Sequence, residues 1–258
     1  MYKQIIAAIL VAGALMLSLP SCVRDSVKNA TLSVRLTDAP ANYQEVLIDI
    51  QSAQINVSAT GITENWQALP FRSGVYNLLD FRNGMDTLLA KVELPAGEIS
   101  QMRLVLGSNN RVKINGQYYT LDTPSAMQSG LKFNINATLT EGVEYQLWID
   151  FDAARSIVAK GNGGFNLKPV IRTFTKATSG AIKGLVSPTA AMPYVMAIAG
   201  SDTIGTIAGT DGKFLLRGIA AGSYKVVFQP VSPYVNKTVD NVIVISGQAT
   251  DLGTVTFQ

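Results

Sequence analysis

Asp150 and Asp152 are the pair in this chain whose type and spacing best suit chemistry. Alternate side chains on a strand share a face about 7 Å apart, a separation from which two carboxylates hold a hard cation or flank a sugar bond. A plainer reading competes. Asp152 stands just before Ala153–Ala159, which reads as a short helix ending near Gly161, and an Asp there caps the helix by accepting from its free N–H groups. The cap is the favoured reading, so Asp150 and Asp152 are only weak metal candidates. Three aromatics offer a different chemistry, the flat face with a polar edge on which a sugar ring stacks: Trp148, Tyr118 and Trp66. Trp148 sits on the strand face opposite Tyr145, Leu147 and Ile149, so it is either exposed or covered by another element. Tyr118 and Tyr119 point to opposite faces, and Trp66 lies in a loop-like stretch. A hydrophobic cluster under a loop accounts for these aromatics more simply than a ligand site.

The counts narrow the field further. Among 258 residues there is no histidine and a single cysteine, Cys22. Ser-His-Asp and Cys-His triads, His-ligated zinc, cysteine-held metals and intrachain disulfides are therefore excluded. The formal charge is +3, and taking away residues 1–21 removes Lys3 and no acid. That is too small and too scattered a charge for a phosphate-backbone footprint, so nucleic acid is not expected as a partner. Gly161-Asn162-Gly163-Gly164 comes after a helical stretch and lacks a following Lys-Ser/Thr, so it reads as a loop rather than a nucleotide cradle.

The elements that must position these residues are strands. With 47% hydrophobic and 15% charged residues, apolar side chains alternate with polar ones between Gly, Pro, Asn and Asp clusters. Leu32, Val34 and Leu36 mark a first strand, ended at Asp38-Ala39-Pro40, where Asp38 can bond the turn backbone. Val46, Ile48, Ile50, Ile55 and Val57 mark a second, bulged one. Gly61, Gly74 and Asn83-Gly84 punctuate the next stretch of chain. Asp86–Val92 has helical character, Met102, Leu104 and Leu106 form a strand, and Val112–Leu121 forms a hairpin about Asn115-Gly116. Two long alternating runs, Leu131–Leu139 and Val143–Phe151, are expected to pair antiparallel across Glu141-Gly142. Strands this regular need a second sheet to cover their apolar faces, hence a sandwich.

Residues 1–22 carry an address. A basic start with Lys3 and the apolar run Ile5–Leu19 have signal-peptide length, short of the ~18 or more apolar residues of a membrane span. Leu19-Pro20-Ser21-Cys22 resembles the bacterial lipobox, with Pro20 departing from the usual small residue. That resemblance implies diacylglycerol on the Cys22 sulfur, cleavage before it and acylation of the new amino terminus. Each buried methylene contributes ~0.8 kcal/mol, and stable anchoring takes more than one chain. Val23–Ala30 is then a short polar tether, and Arg24 beside Asp25 leaves the membrane leaflet open.

Further motifs extend the resemblance. Leu36-Thr37-Asp38-Ala39-Pro40, Leu94-Pro95-Ala96-Gly97 with Arg103-Leu104, Asp150-Phe151-Asp152-Ala153 and Leu167-Lys168-Pro169-Val170-Ile171 stand in the order of an uncharacterised bacterial lipoprotein family, a domain of unknown function. The resemblance implies location and architecture, and no catalytic residues.

After the polar linker Thr175–Ser179, seven brief strands are expected: Ile182–Val186, Tyr194–Ala199, Thr203–Ala208, Lys213–Leu216, Tyr224–Phe228, Val239–Val244 and Asp251–Phe257. Gly184-Leu185-Val186, Thr210-Asp211-Gly212-Lys213-Phe214 and Gly218–Val226 resemble the carboxypeptidase regulatory-like domain, a transthyretin-type sandwich also grouped with carbohydrate-binding folds. Asp211-Gly212 is expected to turn a hairpin.

The expectation is thus an all-β chain: signal peptide 1–21, lipidated tether 22–30, and two β-sandwich domains in tandem at 31–175 and 180–258. It is a non-enzymatic envelope lipoprotein, held at the outer membrane by lipid on Cys22 and otherwise free of cofactors. It binds or scaffolds an envelope protein, or alternatively a glycan.

Overall fold

The computed structural model describes residues 29–58, 65–123, 130–161 and 163–258. The signal segment, Cys22, nearly all of the tether, Gly61 and Asn162 lie outside them.

The chain is all-β. Its first part contains β1 (Ala30–Thr37), β2 (Glu45–Ser58), β3 (Trp66–Ala68), β4 (Gly74–Asn77), β5 (Thr87–Leu94), β6 (Gly97–Leu106) and β7 (Arg111–Ile114). Then come β8 (Gln117–Asp122), β9 (Leu131–Leu139), β10 (Glu144–Phe151), a one-turn helix α1 (Ala153–Ser156), β11 (Ile157–Ala159), β12 (Phe165–Leu167) and β13 (Ile171–Thr175). Among the described residues these make two sheets. One has the order β13-β10-β1-β5, and the other runs β11-β12-β8-β7-β2-β6-β9 with β3 and β4 also on β2. Apolar residues of both close on one core, including Leu32, Leu36 and Phe151 from the smaller sheet and Ile48, Ile55 and Met102 from the larger. Alternation fills that core: β2 sends Val46, Ile48 and Ile50 inward, then shifts register between Ile50 and Ser52 before Ile55 turns in.

The second part contains β14 (Gly180–Ser187), β15 (Tyr194–Ala199), β16 (Asp202–Ile207), β17 (Lys213–Ile219), β18 (Gly222–Gln229), β19 (Lys237–Val244) and β20 (Ala249–Thr256). Sheets β17-β14-β20 and β16-β15-β18-β19 enclose a separate core built on Val195, Phe214, Val226 and Phe228. Every strand expected there is present, within two or three residues at each end.

Several local expectations are corrected. Asp86–Val92 is not helical; Thr87–Val92 lies in β5, antiparallel to β1. Leu88, Leu89 and Ala90 favour a helix by only tenths of a kcal/mol each, less than the ladder and the burial of Leu89 and Leu94 supply. The runs Leu131–Leu139 and Glu144–Phe151 do not pair with each other. β9 lies on β6 in the large sheet, while β10 lies between β1 and β13 in the small one. Gly142 (φ +71°) therefore serves a crossing between sheets, so that two apolar faces meet in the core from opposite sides. The helix after Asp152 stops at Ser156, and Ile157–Ala159 becomes a strand against β12. Trp66 opens β3 rather than lying in a loop. Asp211-Gly212 joins β16 to β17 in different sheets and so turns no hairpin; Gly212 (φ +78°) closes its turn by donating to the Gly209 carbonyl at 2.9 Å. The Asn115-Gly116 hairpin forms as expected, with both residues at positive φ.

Candidate functional site

Strand β17 is an edge of its sheet, and such an edge presents unpaired N–H and C=O groups. Side chains of the first sandwich engage four of its backbone groups, one of which, the Lys213 carbonyl, also accepts from the Gly209 N–H at 2.8 Å. Asn83 Nδ2 donates to the Lys213 carbonyl at 2.9 Å, and Asn83 Oδ1 accepts from the Leu215 N–H at 2.7 Å. The tight turn Arg82–Met85, with Asn83 at φ +53° and Gly84 at φ +81°, aims that amide. Arg172 on β13 donates to the Gly218 carbonyl at 2.8 Å and the Arg217 carbonyl at 3.3 Å. A Cβ on Gly218 (φ +67°) would strike the Phe174 ring, and one on Gly84 (φ +81°) would press on the tip of the Leu215 side chain, so the two sandwiches pack closely at both turns.

Trp148 lies on this seam. Its side of β10 is covered: the residue is 8% exposed, its ring stacks on Phe174 with centroids 5.6 Å apart, and Nε1 donates to Asp86 Oδ2 at 2.9 Å. Asp86 also accepts from Arg35 at 2.6 Å and pairs with Arg217 of the second sandwich at 3.1 Å. Burial pushes the Asp86 carboxyl up, but the hydrogen bonds from Arg35 and Trp148 and the charges of Arg35 and Arg217 outweigh it and hold it below the ordinary carboxylate value.

Beside this lies a buried acidic pocket. Asp150 Oδ2 is gripped by Arg172 at 2.5 and 3.1 Å. Asp152 is the cap of α1: Oδ1 accepts from the Arg155 N–H at 2.9 Å, and Oδ2 pairs with the Arg155 side chain at 2.7 Å. The two carboxylates therefore do separate work. Asp38 joins them unexpectedly. Rather than bonding its own turn, its Oδ1 accepts from the Ala153 N–H at 3.0 Å, which ties the first motif to the third across 115 residues. Burial drives the Asp38 carboxyl well above its ordinary value; the Ala153 bond opposes this, and the Asp150 and Asp152 charges add to it. A cavity of about 20 Å³ separates the sandwiches here, and Asp38 Oδ2, Asp150 Oδ1 and Thr206 Oγ1, three buried oxygens without hydrogen-bond partners among the described residues, belong to its lining residues. It has room for one water.

Tyr118 is 44% exposed; its hydroxyl donates to Glu45 at 2.8 Å while Arg111 and Lys113 lie over its ring at 5.4 and 5.1 Å. Trp66 is half-buried beneath Arg103, 4.5 Å from its centroid. Trp66 faces Asn56 and Tyr118 faces Lys113, itself opposite Glu45, so the two aromatics stand roughly 35 Å apart along β2. Trp148 is in the other sheet. The three aromatics do not converge, whereas Asp150 and Trp148 both come to the seam.

Between the sandwiches a cleft of about 570 Å³ opens over Trp148, Phe174 and Leu215, rimmed by Arg35, Arg217, Lys176 and Lys183. Among the described residues no group of three or more Cys, Asp or Glu side chains is placed to hold a metal ion, and no helix is long and apolar enough to cross a membrane. Residue-by-residue reading missed Asp38, Asp86, Asn83, Arg172, Thr206 and Arg217. Asp38 and Asn83-Gly84 carried local turn signals; the partners of Asp38, Asn83, Asp86, Arg172 and Arg217 are distant in sequence, and Thr206 Oγ1 has no hydrogen-bond partner among the described residues.

The family model described as "Domain of unknown function (DUF4382)" matches residues 29–169. Among curated proteins none matches the chain. Solved structures resemble it at low identity and low TM-score. A type II cohesin–X–dockerin complex from Acetivibrio cellulolyticus is 19% identical over 30% of this chain and 56% of its own, with a TM-score of 0.25. The minor pilin GBS52 of Streptococcus agalactiae is 10% identical over 87% of this chain and 94% of its own, at 0.25. A shaft pilin of Lactobacillus rhamnosus GG is 10% identical over 90% and 98%, at 0.23. The chain spans little more than half the length of the cohesin–dockerin chain, and overlaps this weak carry no argument about what it does.

Proposed function

The chain belongs to the DUF4382 family of domains of unknown function, and from that premise we propose that it is a non-enzymatic lipoprotein of the cell envelope, a two-sandwich module that binds or scaffolds a partner. In this reading a signal peptide ends at Ser21, lipid on Cys22 holds the protein at the outer membrane, and the second sandwich is of the carboxypeptidase regulatory-like type.

One observation carries the binding-module reading: Trp148 is spent on the seam. Stacked on Phe174 and hydrogen-bonded to Asp86, it helps to join the two sandwiches rather than offering a sugar platform. The carboxylates suited to catalysis are likewise engaged, Asp150 by Arg172 and Asp152 by the helix it caps. A joined pair of sandwiches presents fixed loops and a fixed cleft to a partner, which suits scaffolding because little entropy is lost on binding.

Two measurements test this. Mass spectrometry of the mature amino terminus is expected to find a diacylglyceryl thioether and an N-acyl group on Cys22. An unmodified thiol, or a cut elsewhere, overturns the anchor. Pull-down from membranes with the anchor intact is expected to recover a stoichiometric partner, and turnover of a glycan or peptide by the purified chain overturns the non-enzymatic reading.

A further inference from the structure

We propose that the cleft along the seam is a ligand site for an amphiphilic carboxylate, a molecule with an apolar body and one anionic head. This deepens the binding-module reading and rests on it.

The cleft volume, about 570 Å³, lies in the range of small-molecule sites, roughly 300–1,000 Å³. Its floor is apolar: half-buried Phe174 and Leu215, with Trp148, 8% exposed, stacked on Phe174. Its rim is cationic. Among the described residues Asp86 is the single acid in the lining, and it faces two guanidinium groups, Arg35 and Arg217. One carboxylate neutralises one of them. Lys176 makes no ion pair among the described residues, and Lys183 pairs with Asp251 at 3.3 Å where both side chains are half-exposed, a contact of little energetic weight. The cleft therefore holds a surplus of positive charge beside an apolar floor.

The arginines are also set to receive an anion. Arg35 uses Nε and Nη2 on Asp86, which leaves the Nη1 donors; Arg217 uses Nη1, which leaves Nε and Nη2. Their side chains are 33% and 35% exposed and line the cleft, while Asp86 holds both guanidinium groups in place. Guanidinium forks held in place match a carboxylate in geometry as well as charge. A polyanion fits less well, because the cations ring a short cleft rather than forming a stripe, and the whole chain carries only +3.

The test uses the full chain in lipid nanodiscs, with empty nanodiscs as the blank. Trp66→Phe leaves Trp148 as the sole tryptophan and reports on the cleft floor. Octanoate is expected to change Trp148 emission saturably, at least tenfold more tightly than octanol. Lys176→Gln, at an exposed site, is expected to weaken octanoate threefold or more without changing octanol, and Arg217→Gln to weaken it further. Equal affinity for octanol, or no saturable change, overturns the proposal; tighter binding of octyl phosphate overturns the carboxylate assignment. Failure to bind on a chain whose acylated amino terminus is confirmed by mass sinks the cleft alone. Saturable binding by a chain without acyl groups upholds the cleft and sinks the anchor.

Discussion

The Asp86 carboxylate and the Arg217 guanidinium, 131 residues apart in sequence, meet at 3.1 Å across the seam between the two sandwiches. Asp86 simultaneously accepts from Arg35 and from Trp148, so one side chain fixes the cleft floor, its rim and the neighbouring sandwich. Asp86→Asn and Arg217→Gln, alone and together, should show a coupling energy of about 1 kcal/mol in urea unfolding. The low Asp86 value sets the sign with pH: its contribution is present above the ordinary carboxylate pKa and fades as pH falls through the folded value. Additive single mutants would mean that the pair carries nothing.

Asp38 behaves oppositely. Its folded value is raised, so its favourable contribution is complete below the ordinary value of about 3.9 and is lost as pH rises through the folded value. Asp38→Asn keeps an acceptor for the Ala153 N–H and supplies a donor toward the Asp150 side of the cavity. Stability followed against pH should fall upward from about pH 4 in the wild type and flatten in Asp38→Asn, with the variant equal or more stable at neutral pH. An unchanged slope would show that another group carries the dependence.

Asp152→Ala removes the α1 cap and should cost about 1 kcal/mol, whereas Asp152→Asn, which keeps the acceptor, should cost a few tenths. Urea midpoints at constant slope measure both. Calcium binding that disappears in Asp152→Ala at unchanged stability would restore the metal reading.

Gly116 and Gly218 make a matched pair. Both have positive φ, but a Cβ on Gly116 meets nothing within 4 Å while one on Gly218 meets Phe174. Gly116→Ala should therefore cost about 1–2 kcal/mol from the backbone alone. Gly218→Ala should cost a further ~1–3 kcal/mol from overpacking and loosen the seam. Equal costs would contradict the close approach.

The second sandwich was legible strand by strand, because short alternating runs between Gly and Asp-Gly turns leave little choice of element. Asp152 was legible as a cap for a similarly local reason: its acceptor reaches the N–H three residues on. Partnership was not. Leu131–Leu139 and Glu144–Phe151 look like a hairpin by proximity, yet their apolar faces are buried from opposite sheets, a choice made by residues as distant as Leu32 and Met102. Asp86–Val92 resembles a helix until β1 is there to pair with it. Asp38 looks like a turn residue, and only the approach of Ala153 gives its carboxylate a distant donor. The cover over Trp148 comes from Phe174 on β13, and its indole N–H is taken up by Asp86, so its burial could not be read from β10 alone.

The central claim is that side chains from the first sandwich cap the β17 edge and make the two sandwiches one body. Spin labels at Gln117→Cys and Asp240→Cys, exposed sites on the two sandwiches, test it in a Cys22→Ser background by pulsed electron–electron distance measurement. A single narrow distance distribution is predicted, broadening when Asn83→Ala and Arg172→Ala are added. A broad distribution in the chain with Asn83 and Arg172 intact would contradict the account.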